Sequence, residues 1–187
     1  DYVQCMQCSH IWNTQFDYTV IPYEKNPNKM FNTGALWQLY IQKMLKQLSA
    51  YLPQNPTVID VGCGDGHFVR DLAKITQNSG RFLGFDPNTS GKSGTGIEFV
   101  HRYFEPIIDI KKYRPDLIIM RHVLEHLEDP AEFLEQLALA SMSLDKPIYF
   151  FAETPCVDLA VNSGRIVDFF YEHPSQFTKK SFSKLMQ

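Results

Sequence analysis

The stretch VIDVGCGDGHFVRDLA, residues 58–73, constrains the fold more than any other part of the chain. An apolar run ending at Val61 passes through Gly62, Gly64 and Gly66 straight into a segment with helical spacing. Glycine at alternate positions lets the backbone turn sharply and lets a ligand approach it without a Cβ in the way. The N–H groups at the start of the following helix then face that ligand. A dinucleotide-binding turn of the form G-x-G-x-x-G would need glycine at position 67, where this chain has His67. The spacing is G-x-G-x-G instead, with Cys63 inside it and Asp60 before it.

Around this turn short apolar runs alternate with helical stretches. TVIDVG reads as a strand and HFVRDLAKIT as the helix after it; RFLGFD is a second strand and IEFVHRYF a third. DLIIMR is a fourth strand, HVLEHLEDP leads into the helix AEFLEQLALASM, and PIYFFAET is a fifth strand. Strands that are apolar throughout and separated by helices imply an α/β fold with a parallel sheet covered on both faces. Upstream, Leu36, Leu39, Tyr40, Met44, Leu45, Leu48 and Leu52 recur three or four apart, which predicts an amphipathic helix that Pro53 and Pro56 end. Residues 1–35 show no sustained period and read as an irregular lead-in. After Pro155 the pattern loosens into a loop, and SFSKLMQ reads as the start of another helix.

Asp86 closes the second strand, twenty-two positions beyond Gly64. A carboxylate at the carboxyl end of that strand can accept hydrogen bonds from both hydroxyls of a ribose. An Asp before Pro87 also serves as a turn former.

The bulk properties narrow the partners. A formal charge of −3 with scattered Lys and Arg provides no basic stripe, which argues against nucleic acid and for a small ligand. No run of about eighteen apolar residues occurs, so no membrane span is expected, and the start DYVQCMQC lacks the layout of a secretion signal. Four cysteines, two of them in CMQC and one in the glycine turn, do not form a disulfide framework and suit a reducing cytoplasm.

The G-x-G-x-G turn with Asp60 before it resembles motif I of the class I S-adenosylmethionine (SAM)-dependent methyltransferases. The resemblance implies a Rossmann-like three-layer α/β sandwich with a mainly parallel sheet. It implies SAM as cofactor, cradled by Gly62, Cys63, Gly64 and Gly66, with Asp60 near the ammonium and Asp86 on the ribose. Tyr103 and Phe104 stand where such enzymes contact the adenine, with plain core aromatics as the alternative. In RHVLEHLEDP, His122 and His126 are four apart and would share a helical face with Glu125. As a string this is H-x-x-E-H, the inverted zinc-protease motif. Such a site belongs inside a long helix, whereas this one opens at the carboxyl edge of a buried strand. The segment also resembles the stretch after strand four in many methyltransferases, which places Arg121 and His122 at the border of the active site and makes His126 structural.

Two further features resemble the sugar C-methyltransferases that act on nucleotide-linked keto-deoxysugars. CMQCSHIWNTQFD is similar to part of that family's N-terminal zinc module, in which Cys5 and Cys8 would be two of four zinc ligands, the other pair lying before Asp1; two ordinary thiols are the alternative. ETP followed by DFFYEHPSQFT is similar to the family's catalytic segment, with Gln176 where a tyrosine is usual. The resemblance implies that His173 removes a proton beside a ketone, that Glu172 orients it, and that Tyr171 or His122 holds the enolate oxygen. The expected organisation is a remnant of the zinc module and linker at 1–35 and a SAM-binding domain at 36–187. That domain is expected to be cut short in a longer protein, without the terminal antiparallel strand pair. The rival expectations are an O- or N-methyltransferase on another small metabolite, and a non-catalytic SAM-binding domain.

Overall fold

The computed structural model describes residues 1–20, 34–77, 79–169 and 172–187. The chain opens with an antiparallel hairpin, β1 (Tyr2–Gln4) and β2 (Ile11–Asn13), with Val3 opposite Trp12. Strands of three residues are too short to carry an alternation, so this part reads as irregular from sequence although it is paired. A first helix, α1 (Ala35–Ser49), buries Met44, Leu45 and Leu48 as the spacing predicts, and with them Ile41, which the predicted stripe lacks, while Tyr40 of that stripe is exposed. It stops before the prolines, where the Ala50 N–H reaches back to the Gln47 carbonyl and the Tyr51 N–H to the Leu48 carbonyl. Leu36 and Leu39, counted in the same stripe, are exposed.

The alternating elements follow as β3 (Thr57–Val61), α2 (His67–Ile75), β4 (Arg81–Phe85), β5 (Ile97–Val100), α3 (Pro106–Tyr113), β6 (Leu117–Arg121), α4 (Pro130–Met142) and β7 (Tyr149–Glu153). The five strands from β3 to β7 form one parallel sheet in the order β5-β4-β3-β6-β7. This is the expected α/β architecture, with helices on both faces. Along β6, Leu117 and Ile119 face one core with α1 and α2, while Ile118 and Met120 face a second core with α3, α4 and Phe177. The third strand ends at Val100, short of the span expected from IEFVHRYF.

The helix α3 was not foreseen from sequence, because PIIDIKKY offers barely two turns of period. It is held by Asp109, 0% exposed, which pairs through both oxygens with Arg102 (2.9 and 2.6 Å) and also accepts the Glu105 N–H at 2.8 Å. After β7 the chain is more ordered than the loose pattern suggests: α5 (Asp158–Ser163), β8 (Ser175–Gln176) and α6 (Lys179–Leu185) follow. A reciprocal cap between Thr178 and Ser181 starts α6. The strand β8 pairs with β2, Ile11 opposite Gln176, so the amino-terminal hairpin is stitched to the segment that follows His173. Among the described residues no antiparallel strand lies beside β7. None of the described helices is long and apolar enough to cross a membrane.

Candidate functional site

The strand order reverses at β3: the chain runs outward to β4 and β5 on one side and to β6 and β7 on the other. In open α/β sheets ligands bind at such a reversal, outside the carboxyl ends of the strands. The glycine turn sits there. Gly62 and Cys63 donate their N–H groups to the Phe85 carbonyl at 2.8 and 3.2 Å, which ties the turn to the end of β4. Asp86, the next residue, accepts the Gly64 N–H (3.0 Å) with one carboxylate oxygen and the Asn88 N–H (2.7 Å) with the other. Gly62 and Gly64 have left-handed φ of 68° and 53°. A Cβ on Gly62 would run into Val123 after β6, whereas one on Gly64 would meet no atom within 4 Å. Gly64 therefore faces open space, and Gly62 lets two loops touch.

Beneath the turn lies Asp60, 3% exposed, whose Oδ2 has no hydrogen-bond partner among the described residues. Burial pushes its pKa up to about 7; the Arg121 charge pulls it back and the Asp86 charge adds to the rise. Arg121 is itself fixed from three sides. Its Nε donates to Glu153 Oε2 at 2.6 Å, and its guanidinium lies 4.4 Å from the Phe68 ring centre and 5.9 Å from that of Trp37. Glu153 also accepts the Tyr40 hydroxyl at 2.8 Å, which latches α1 to the end of β7.

The far side of the cleft is built from the residues after β6 and β7 and from the segment before β8. His122 has a left-handed φ of 55° and precedes a single 3-10 turn, Leu124–His126, so His122 and His126 do not share an α-helical face as the sequence suggests. This also removes the long helix that the inverted zinc-protease reading requires. The His122 Nδ1 lies 3.5 Å from Glu125 Oε1 and its Nε2 lies 3.8 Å from Glu153 Oε2. Both ring nitrogens and Glu125 Oε1 are shielded from solvent and lack hydrogen-bond partners among the described residues. Glu125, 1% exposed, accepts the Thr154 hydroxyl through Oε2 at 3.0 Å. Burial raises its pKa, but the contacts with His122 and the nearby His126 outweigh this and leave it below the usual value. His126 Nδ1 lies 2.9 Å from the Glu172 carbonyl, and its ring meets that of His173 edge to face at 4.7 Å between centres. Burial first, and His126 second, push the His173 pKa down to about 4.

Residues 36–187 match the model of the methyltransferase domain family. The chain belongs to this family. Its fold is similar to that of the plantazolicin methyltransferase BpumL in complex with a monoazolic desmethylPZN analog and SAH, with a TM-score of 0.57 and 19% identity. That match covers 80% of this chain and 64% of BpumL, so the chain spans less than two thirds of the length of that protein. A SAM dependent methyltransferase from Archaeoglobus fulgidus has a TM-score of 0.51 at 20% identity, over 91% of this chain and 72% of the other. No curated protein matches the chain in sequence.

Within the methyltransferase domain the residues expected on the cofactor side converge on the reversal point, with two qualifications. Phe104, 6% exposed, packs between Phe85 and Phe133 as a core aromatic, whereas Tyr103 is 59% exposed. Burial pushes the Cys63 thiol pKa far up, and its sulfur rests 3.8 Å from the Thr89 hydroxyl. Tyr171 lies outside the described residues. Cys5 and Cys8 sit together in the turn of the amino-terminal hairpin, where the Cys8 and Gln7 N–H groups lower the Cys5 thiol pKa. Among the described residues no third ligand side chain joins them. Thr154 is the site residue that the sequence leaves unmarked beyond the string E-T-P, whereas Glu125 is marked there by H-x-x-E-H.

Proposed function

We propose that the domain is a SAM-dependent methyltransferase that acts on a small molecule bound over the carboxyl ends of β6 and β7. The observation that carries this reading is the orphaned oxygen of Asp60, a buried carboxylate beneath a turn that opens at Gly64. Such a group calls for a cation. The ammonium of SAM satisfies it, while the pyrophosphate of a dinucleotide would bring the wrong sign of charge. Asp86, already oriented by two backbone N–H groups, has lone pairs left for ribose hydroxyls, and Tyr103 stands on the adenine side. When bound, SAM supplies an electrophilic methyl group.

For the acceptor we place C-methylation of a nucleotide-linked keto-deoxysugar first. The hairpin turn that gathers backbone N–H groups around the Cys5 sulfur supports it, as a half-site of the kind a structural zinc module uses. Carbon becomes a nucleophile only after a proton beside the ketone is removed. We assign that proton to His122, which lies between the carboxylates of Glu125 and Glu153, partners for the imidazolium it would become. His173, held near pKa 4 by burial, is the weaker base, since general-base catalysis works best near the operating pH. The test is incubation of the protein with methyl-labelled SAM and a panel of nucleotide-linked keto-sugars in deuterated water. Label on carbon, deuterium exchange at the same carbon, and a loss of turnover of about 10²–10⁴-fold in His122→Gln with SAM affinity retained are expected. Label on oxygen or nitrogen would replace the acceptor assignment, and failure of the wild-type protein to bind SAM would end the whole reading.

A further inference from the structure

We propose that Glu125, His126 and His173 form a binding site for one divalent transition-metal ion of the zinc type. Each offers one ligand atom, and the three atoms lie within 4.8 Å of one another. Zinc bonds of about 2.0–2.2 Å put tetrahedral ligand pairs about 3.4 Å apart, so side-chain movement on the order of an ångström closes the set.

Three features of the surroundings point to an ion rather than to a plain polar cluster. First, the His126 ring is oriented for ligation. The Glu172 carbonyl can only accept, so the proton is on Nδ1 and Nε2 is the lone-pair nitrogen. A backbone acceptor behind the ring is the usual outer support of a metal-bound histidine. Second, Glu125 is supported in the same way, with Oε2 held by Thr154. Third, Glu125 Oε1 and both nitrogens of the neighbouring His122 are shielded from solvent yet unsatisfied among the described residues. Unpaired buried groups of this kind are costly, and an ion held by Glu125 would satisfy its Oε1. The donor set selects the ion: two imidazoles with one carboxylate suit zinc and its first-row neighbours, whereas calcium and magnesium take oxygen ligands. Three protein ligands leave one position, where an acceptor oxygen would be polarised. That last role rests on the acceptor reading above; the site itself does not.

The test uses the whole chain stripped with a chelator and titrated with Zn²⁺ or Co²⁺ alone, in a Cys5→Ser/Cys8→Ser background so that the hairpin thiols cannot contribute. One equivalent should bind, with Co²⁺ showing the visible absorption of a four- or five-coordinate nitrogen–oxygen site and no thiolate charge-transfer band. His126→Ala and His173→Ala should abolish binding, and Thr154→Val, which removes only the support of Glu125, should weaken it about 10–100-fold. SAM binding by each variant reports that the fold is intact. Absence of a bound ion in a protein that still binds SAM would overturn the proposal, as would binding that survives both histidine substitutions. An ion bound as described in a protein that fails to bind SAM would uphold the metal site and overturn the methyltransferase reading.

Discussion

Asp60 offers the sharpest test, because its burial affects stability and ligand binding in opposite directions. Its folded pKa of about 7 stands above the ordinary 3.8. The folded state therefore holds a proton that the unfolded state has released, and stability falls as pH rises from about 4 to about 7. At about 1.4 kcal/mol for each tenfold step, the gap corresponds to a ceiling of about 4 kcal/mol, reached above pH 7. Asp60→Asn removes this penalty. In the ligand-free protein its stabilising effect should be under half the ceiling at pH 5 and largest at pH 8, where the ceiling corresponds to a Tm difference on the order of 10 °C for a domain of this size. SAM binding should respond the other way. A cation needs the ionised carboxylate, so the wild-type Kd should weaken about tenfold from pH 8 to pH 6, as protonation of a group with a pKa of about 7 demands. Asp60→Asn should lose this dependence and bind about 10–100-fold more weakly at pH 8, the equivalent of one charge-assisted hydrogen bond. Calorimetric titration of both proteins at pH 6, 7 and 8 measures this, and titration of the ligand's own amine cancels between them. A stability difference or an affinity ratio that stays constant over that range would show that Asp60 is not the buried cation partner.

Gly64→Ala should cost about 1–2 kcal/mol of stability, because an L-residue must take the left-handed φ of 53°. Its added methyl group faces the open side of the turn, so SAM affinity measured by calorimetry should drop well beyond that; unchanged affinity would place the ligand elsewhere. Asp86→Asn replaces a carboxylate that accepts two backbone N–H groups, and SAM Kd should rise about 10–100-fold with little change in turnover at saturation. Asp109→Ala removes the buried partner of Arg102 and the anchor of α3. Thermal unfolding should show a loss of about 2–3 kcal/mol, below the range for fully buried pairs because Arg102 is partly exposed.

The parts of this molecule legible in sequence are those where a strong local period meets a turn that only certain residues permit. The run from Val58 to Ala73 has an apolar strand, three glycines and a helical stripe in succession, and the structure follows it almost residue for residue. The strand at DLIIMR and the helix that Pro130 opens are similar cases. What was not legible depends on contacts distant in sequence. The β1–β2 hairpin has no pattern of its own and exists through its pairing with Gln176, more than 160 residues away. The helix α3 is fastened by a buried ion pair that no periodicity announces. HVLEH reads as a helix because its histidines are four apart, yet the left-handed backbone at His122 ends the strand in a turn that aims Glu125 inward. His126, read as structural, and His173, read as the base, become neighbours only because the β8 segment returns to the end of β6.

The reversal of strand order explains why two different chemistries can face each other across so small a gap. Because β3 and β6 are adjacent and parallel, the turn that follows one and the turn that follows the other are neighbours, close enough that Gly62 must lack a side chain to clear Val123. On the β3 side the groups are carboxylates, Asp60 and Asp86, which favour a cationic donor. On the β6 side they are imidazoles backed by Glu125, which suit proton removal or an ion that grips an oxygen. Arg121 lies between them, paired with Glu153 and stacked on Phe68. Glu153 in turn holds Tyr40, and through it α1 is fastened to the rim of the same cleft. The end of β7 is thus the point at which Arg121, His122 and α1 are joined through Glu153.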